Sequence, residues 1–238
     1  MIEILNMPQT PHLSQIGKYS EIEKSFSPLD NLDLWRAKLK KSGALLIQAA
    51  ILVKRVIFIT PKIEFKTQIP LLIQELKEAL VSGNLDDFGK YFLDGSYIRV
   101  RDEGDKVTLS IKIHVTDSEH VSAQKEVCLV VKDFESAVSL LAKYKLFERS
   151  YQENTRETWN LKNSEVCIDC WPGLEPYLEI ESPTEAELEE IITVLNLQHL
   201  ESTQQSVLYW YEKAGYDKEK MNHGKLTFET DLNDKLYY

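Results

Sequence analysis

The sequence predicts an α+β chain built on a closed or nearly closed antiparallel β-barrel of about eight strands, with a few helices on its flanks. Two observations predict it. First, short segments with period-two alternation recur along the chain, which is the pattern of strands with two unlike faces. Second, one of those faces is charged: Glu21-Ile22-Glu23 and Glu179-Ile180-Glu181 are acidic on one side, and Arg99-Val100-Arg101 is basic. A sheet with a charged inner face cannot pack as a dry core. Closing it around solvated charge removes that conflict.

Residues 1–18 hold Pro8 and Pro11 without any period and read as an N-terminal arm. Residues 19–197 read as the barrel domain, and 198–238 as a C-terminal extension packing on it. Tyr19–Phe26 alternates as a strand. Pro28 and Asp30 open a helix through about Lys41, with Leu32, Trp35 and Leu39 on one side and Gly43 as its stop. Leu45–Thr60 is rich in branched apolar residues and reads as one or two strands. Within 62–92, Ile69–Leu80 has helical phase (Leu72, Ile73, Leu76, Leu80) and suits an insertion or a lid.

Gly95–Val115 reads as a hairpin turning at Glu103-Gly104-Asp105. Arg99 and Arg101 share a face of its first strand; Thr108, Ser110, Lys112 and His114 share one of its second. Ala123–Val131 puts Gln124, Glu126 and Cys128 on one side, and Asp133 caps a helix with the stripe Phe134, Ala137, Val138, Leu141. Strands at about 148–160 and 164–170 align Gln152, Asn154, Arg156 and Thr158, then Glu165, Cys167 and Asp169. After Trp171-Pro172-Gly173 comes the strand Tyr177–Glu181. Ser182, Pro183 and Glu185 read as a capping box with proline at the first helical position. The tail carries Tyr209-Trp210-Tyr211 and a β-like Lys225–Phe228 but no chemistry-bearing pattern.

A net charge of −10 argues against non-specific nucleic-acid binding, which needs a basic surface. Three cysteines, at 128, 167 and 170, do not form a disulfide framework. Cys167-Ile168-Asp169-Cys170 has half the spacing of a zinc site, but no second close pair completes it. Gly83–Lys90 lacks the spacing and the hydroxyl of a phosphate loop. The apolar window Ala44–Ile59 is broken by Gln48, Lys54 and Arg55 and falls short of a membrane span of about 20 residues. Met1–Pro11 lacks the basic start and apolar run of a signal peptide, so a cytoplasmic protein is expected. The charged strand faces imply a cavity holding metal ions and polyphosphate together; the plainer alternative is a sheet whose arginines pair with its carboxylates.

The order and spacing of these motifs resembles the CYTH superfamily of triphosphate tunnel metalloenzymes. The likeness spans about 19–197. It rests on Glu21-Ile22-Glu23, Tyr97-Ile98-Arg99-Val100-Arg101, Leu109-Ser110-Ile111-Lys112, Lys125-Glu126, Arg156, Ile168-Asp169 and Leu178-Glu179-Ile180-Glu181. The resemblance implies an eight-stranded triphosphate tunnel and a triphosphatase, or a class IV adenylate cyclase making cyclic AMP and pyrophosphate. It implies Arg99, Arg101, Lys112 and Arg156 as substrate-binding residues. Mg²⁺ or Mn²⁺ would be held by Glu21, Glu23, Asp169, Glu179 and Glu181, and Glu126 would orient neighbouring cations or the attacking group. Glu21, Glu23, Glu126 and Lys112 form its catalytic set. The implied partner is a small polyphosphate or nucleoside triphosphate, with no nucleic acid and no membrane; a homodimer is expected on resemblance alone.

One position departs from the family pattern Glu-x-Glu-x-Lys. Lys24 comes one residue early and Ser25 stands where the lysine is expected, which in a regular strand turns Lys24 outward. Three consequences stay open: a bulge returns Lys24 to substrate, the site works without that cation, or the protein binds polyphosphate or nucleotide without turnover.

Overall fold

The structure, a computed structural model, describes residues 22–59, 68–90, 97–114, 124–230 and 232; at 87, 90, 112–114 and 124–126 it describes the backbone alone. The elements, in chain order, are β1 (Ile22–Ser27), α1 (Leu32–Lys41), β2 (Leu45–Ile59), α2 (Ile69–Ala79), β3 (Leu80–Ser82), α3 (Leu85–Lys90), β4 (Tyr97–Asp102), β5 (Val107–His114) and β6 (Gln124–Val131). There follow α4 (Phe134–Lys143), β7 (Phe147–Leu161), β8 (Ser164–Cys170), β9 (Tyr177–Ser182), α5 (Glu185–Val194), β10 (Glu201–Thr203), α6 (Leu208–Lys213), α7 (Lys218–Met221) and β11 (Gly224–Leu226).

The strands form one sheet in the order β10-β1-β9-β8-β7-β2-β4-β5-β6-β3, with β11 parallel to β7 off this path. Every other pairing is antiparallel. Of the expected closed or nearly closed barrel of eight strands, closure is not found: among the described residues the sheet is an open path of ten strands, with β11 as an eleventh off it. Edge occupancy is the reason. The stretch from β1 to β6 would close by pairing its two ends, but β10 occupies the outer edge of β1 and β3 that of β6. Each short strand satisfies backbone groups that closure would otherwise satisfy. The long strands β2 and β7, 15 residues each, pair almost end to end and join the two halves of the sheet.

Alternation sends the apolar residues to one face, where helices cover them in two separate cores. Over β4, β5 and β6, the side chains of Ile98, Val100, Leu109, Ile111 and Leu129 pack against Leu72 and Leu76 of α2, Phe88 of α3 and Leu141 of α4. Within the segment 62–92, expected as an insertion or a lid, α2 puts its helical stripe into a core: Leu72 and Leu76 are wholly buried. Over β1, β9 and β8, Phe26, Ile180, Leu178 and Ile168 pack against Trp35 and Leu39 of α1 and Leu188 and Ile191 of α5. A buried carboxylate also fastens α1. Glu157 on β7 accepts from Arg36 Nε at 2.9 and 3.2 Å and from Trp159 Nε1 at 2.8 Å.

Local chemistry sets the helix starts. Asp133 accepts from Ser136 N at 2.7 Å to cap α4, as its sequence pattern predicts. For α1 the capping side chain is Asn31 rather than Asp30. The predicted capping box at Ser182–Glu185 is displaced by two residues: Thr184 accepts from Glu187 N at 3.2 Å and donates to Glu187 Oε2 at 2.8 Å. Ser182 is still in β9 and is spent on a hydroxyl pair with Ser164 at 2.8 Å.

A third cluster belongs to the C-terminal segment. Trp210, Tyr211, Tyr216 and Leu226 pack with Trp171 and Tyr177, and Tyr211 donates to the carbonyl of Pro172 at 2.7 Å. β11 pairs with β7 at Ser150–Gln152, on the stretch that lies before β8 takes over at Thr155.

Leu178 is fully buried directly behind Glu179. Leu178→Ala is expected to lower unfolding free energy by about 2–5 kcal/mol. Urea denaturation followed by circular dichroism measures it, and a loss under about 1 kcal/mol would show that α5 does not hold β9 in place.

Candidate functional site

The opposite face of the sheet collects the charge. On the acidic side, Glu23 faces Glu181 and Ser25 faces Glu179 across β1 and β9, and Glu181 faces Glu165 on β8. Across β8 and β7, Asp169 faces Arg156. Further along, Arg55 on β2 faces Gln152 on β7 and Arg101 on β4, while Arg99 faces Ser110 on β5. Carboxylates thus line one part of the face and guanidinium groups the next, with Arg156 at the junction.

That junction is an ion-pair network. Arg156 reaches Asp169 in a fork, Nε to Oδ1 at 2.9 Å and Nη2 to Oδ2 at 2.5 Å, and Glu179 Oε1 at 2.5 Å. Asp169 is fully buried and also accepts from Asn154 Nδ2 at 2.9 Å. Burial opposes charge on Arg156, but the Asp169 and Glu179 carboxylates outweigh it and hold the guanidinium well above its ordinary value. Burial pushes the Asp169 carboxyl up against the pull of Arg156, and the Glu179 charge adds to the rise. On Glu179 burial again pushes up, yet Arg156 and a hydrogen bond with Glu23 bring it below the usual range. Glu23 and Glu179 therefore share one hydrogen bond between two carboxyl groups, an arrangement that favours a proton or a cation between them.

The guanidinium groups are strongly buried. Arg99 is 9% exposed and Arg55 is 8% exposed. Arg101 pairs with Glu103 in the hairpin turn at 2.6 Å. Arg55 donates from Nη2 to Asn154 Oδ1, and its guanidinium carbon lies 4.5 Å from the centre of the Trp171 ring. Burial, followed by the like charges of Arg101, Arg99 and Arg156, pushes its guanidinium down to about 9. Arginine stays protonated in proteins, so Arg55 keeps its charge in a buried place beside three like charges, and an anion there would offset their repulsion.

Sequence reasoning missed Arg55, which read only as an interruption of an apolar run. Its signal was parity: Val56 and Phe58 enter a core while Arg55 points the other way. Trp210 was missed as well. Its Nε1 donates to Ser25 Oγ at 2.9 Å, and Ser25 Oγ lies 3.4 Å from the carbonyl of Thr203. Ser25 is thus buried under the C-terminal segment at the position where the family pattern has lysine. The β1/β9 register runs unbroken from Ile22 to Phe26, so no bulge returns Lys24 to this face. Lys24 lines a groove of about 380 Å³ on the other side, with Glu185 and Glu189.

Of the site residues expected from sequence, Arg99, Arg101, Arg156, Glu23, Asp169, Glu179 and Glu181 share the polar face. Lys24 does not. Lys112 and Glu126 are paired across β5 and β6, with their side chains outside the described residues, as is Glu21. Carboxylate oxygens suit a hard divalent cation. Among the described residues, no three His, Cys, Asp or Glu side chains converge on one point. No helix among them is long and apolar enough to cross a membrane.

Comparison with known proteins follows the same lines. The CYTH domain family matches residues 92–207. A conserved hypothetical protein from Pyrococcus furiosus superposes with a TM-score of 0.54 at 18% identity, covering 80% of this chain and 99% of its own. A candidate adenylate cyclase from Vibrio parahaemolyticus gives 0.54 at 13%, covering 83% and 98%. A protein from Pyrococcus horikoshii gives 0.52 at 17%, covering 76% and 94%. No curated protein matches this sequence.

Arg156→Ala would leave Asp169 and Glu179 buried without their cation. It is expected to cost about 3–5 kcal/mol, read as a lowered urea midpoint at pH 7, and Asp169→Asn in the same chain is expected to restore part of the loss. An unchanged midpoint in the single variant would show that water satisfies the carboxylates.

Proposed function

We propose that this chain, which belongs to the CYTH superfamily, is a divalent-metal-dependent enzyme that hydrolyses inorganic or organic triphosphate. One observation carries the reading: Arg55, Arg99, Arg101 and Arg156 lie on the same polar face as Glu23, Asp169 and Glu179. A chain of net charge −10 that concentrates guanidinium groups in one buried place has built a local anion site against its own long-range field. Arginine's planar fork suits phosphate oxygens, and phosphoryl transfer is mostly positioning and charge neutralisation.

In this reading Arg99, Arg101 and Lys112 hold the phosphate chain. Glu21, Glu23, Asp169, Glu179 and Glu181 are the candidate ligands of Mg²⁺ or Mn²⁺, and Glu126 orients the groups beside them. A cation bound there would neutralise charge and supply a water acidic enough to attack the terminal phosphorus. Arg156 couples the two sides. An arriving phosphate competes with Asp169 and Glu179 for its guanidinium, which releases those carboxylates toward a cation. Polyphosphate and a cation held by those carboxylates would then bind cooperatively.

A second reading is recognition without turnover, favoured by Ser25. With Trp210 Nε1 donating to its hydroxyl, β1 presents no cation at that position. Cyclisation of ATP is distinguished by its products, cyclic AMP and pyrophosphate in place of ADP and phosphate.

Incubation of the protein with tripolyphosphate or ATP is expected to release phosphate in the presence of Mg²⁺ or Mn²⁺ and not with chelator. Calorimetry in which metal-loaded protein binds neither anion would sink the polyphosphate reading; binding without release would select the second reading. Arg99→Ala is expected to weaken tripolyphosphate binding about tenfold or more, with circular dichroism unchanged.

A further inference from the structure

Arg55 is the cation that the expected site does not account for. It is held from three directions: by the sheet register between Gln152 and Arg101, by Asn154 at Nη2, and by the ring of Trp171. Its Nε nevertheless has no acceptor among the described residues, although the side chain is more than nine-tenths buried. The same holds for the indole Nε1 of Trp171, against which it stacks, and for the hydroxyl of Ser150, one step along β7 from Gln152 on the same face. Three buried donors without acceptors in one place form an unusual imbalance, because a buried N–H left unmade costs about 1–3 kcal/mol. An oxyanion supplies lone pairs to all three kinds of donor at once.

Position gives this spot its meaning. The C-terminal segment closes the polar face here: Trp210 and Tyr211 pack with Trp171 and Tyr177, and Tyr211 bonds back to Pro172. Trp210 at the same time occupies Ser25, so β1 offers no cation at that end.

We propose that Arg55, with Trp171 Nε1 and Ser150 Oγ, is a phosphoryl-binding subsite at the end of the polar face closed by the C-terminal segment, supplying from β2 the cation that β1 lacks at Ser25. The inference rests on the polyphosphate reading and adds to it a residue, a ligand group and an orientation. The substrate's distal phosphoryl group lies against Arg55, and its remaining phosphates run toward Arg101 and Arg99. The aromatic cluster of Trp171, Tyr177, Trp210 and Tyr211 stands at that end, and any organic substituent lies at the opposite one.

Trp171 provides a reporter in the intact chain. Capture of a phosphoryl group by Arg55 changes the charge over the indole ring, so saturating tripolyphosphate is expected to change tryptophan emission. The change should disappear in Trp171→Phe, which loses one donor of the subsite and is expected to bind tripolyphosphate more weakly, so the comparison is made at saturating tripolyphosphate. Arg55→Gln is expected to weaken tripolyphosphate about tenfold to a hundredfold, and Arg55→Lys less. Wild-type protein that binds tripolyphosphate with no change in emission overturns the subsite and leaves the polyphosphate reading standing, as does full affinity in a folded Arg55→Gln. Wild-type protein that binds no tripolyphosphate overturns both. If Arg55→Gln fails to fold, the emission comparison between wild type and Trp171→Phe decides alone.

Discussion

Charge buried on one face of a β-sheet must be compensated, and this molecule is arranged around that constraint. Arg156 sits between Asp169 and Glu179, and each of the three would be untenable alone. An uncompensated buried charge costs several kcal/mol, whereas the paired set is near balance. The network therefore adds little net stability but makes the relative placement of β7, β8 and β9 strict, since a slip of one residue in any of them would send its member of the network to the apolar side.

The two cores behind the sheet serve the same end. One lies under α2, α3 and α4 and backs the arginine strands β4 and β5; the other lies under α1 and α5 and backs the carboxylate strands β8, β9 and β1. Each half thus carries its own apolar support, and β2 and β7 hold the halves in register. Opposite charges are then presented to each other by rigid elements rather than by loops, which keeps long side chains in place for little entropy.

The arginine side of the face differs from the acidic side in one respect. Its charges are crowded by one another, with Arg55, Arg99 and Arg101 on adjoining strands, and the buried Arg55 guanidinium is pushed down to about 9. The acidic side has already found its internal cation in Arg156. Arg101 has Glu103 beside it, whereas Arg55 keeps an Nε with no acceptor among the described residues, so an anion there would meet an unanswered donor. This asymmetry favours polyphosphate over an ion-paired sheet as the reading of the face, even though the pairing of Arg156 belongs to both.

Much of this was legible in sequence because alternation is a local property. The strands around Arg99–Arg101, Cys167–Asp169 and Glu179–Glu181 lie where the period places them, and the polar face follows from parity. The cap at Asp133 was legible for the same reason, its partner being three residues away. What period two cannot specify is which distant strand takes an edge. β10 and β3 were thus unforeseen, and the sheet stays open where a closed or nearly closed barrel was expected. Arg55 was hidden in an apolar run because its importance lies in three arginines that fold beside it, two of them some 45 residues on along the chain. Ser25 shows the division most plainly. By itself the sequence determined that a hydroxyl stands where lysine is expected and that Lys24 points away. Only the tertiary structure decided that Trp210, 185 residues later, would bond that hydroxyl, because such a contact depends on where a packed C-terminal segment comes to rest.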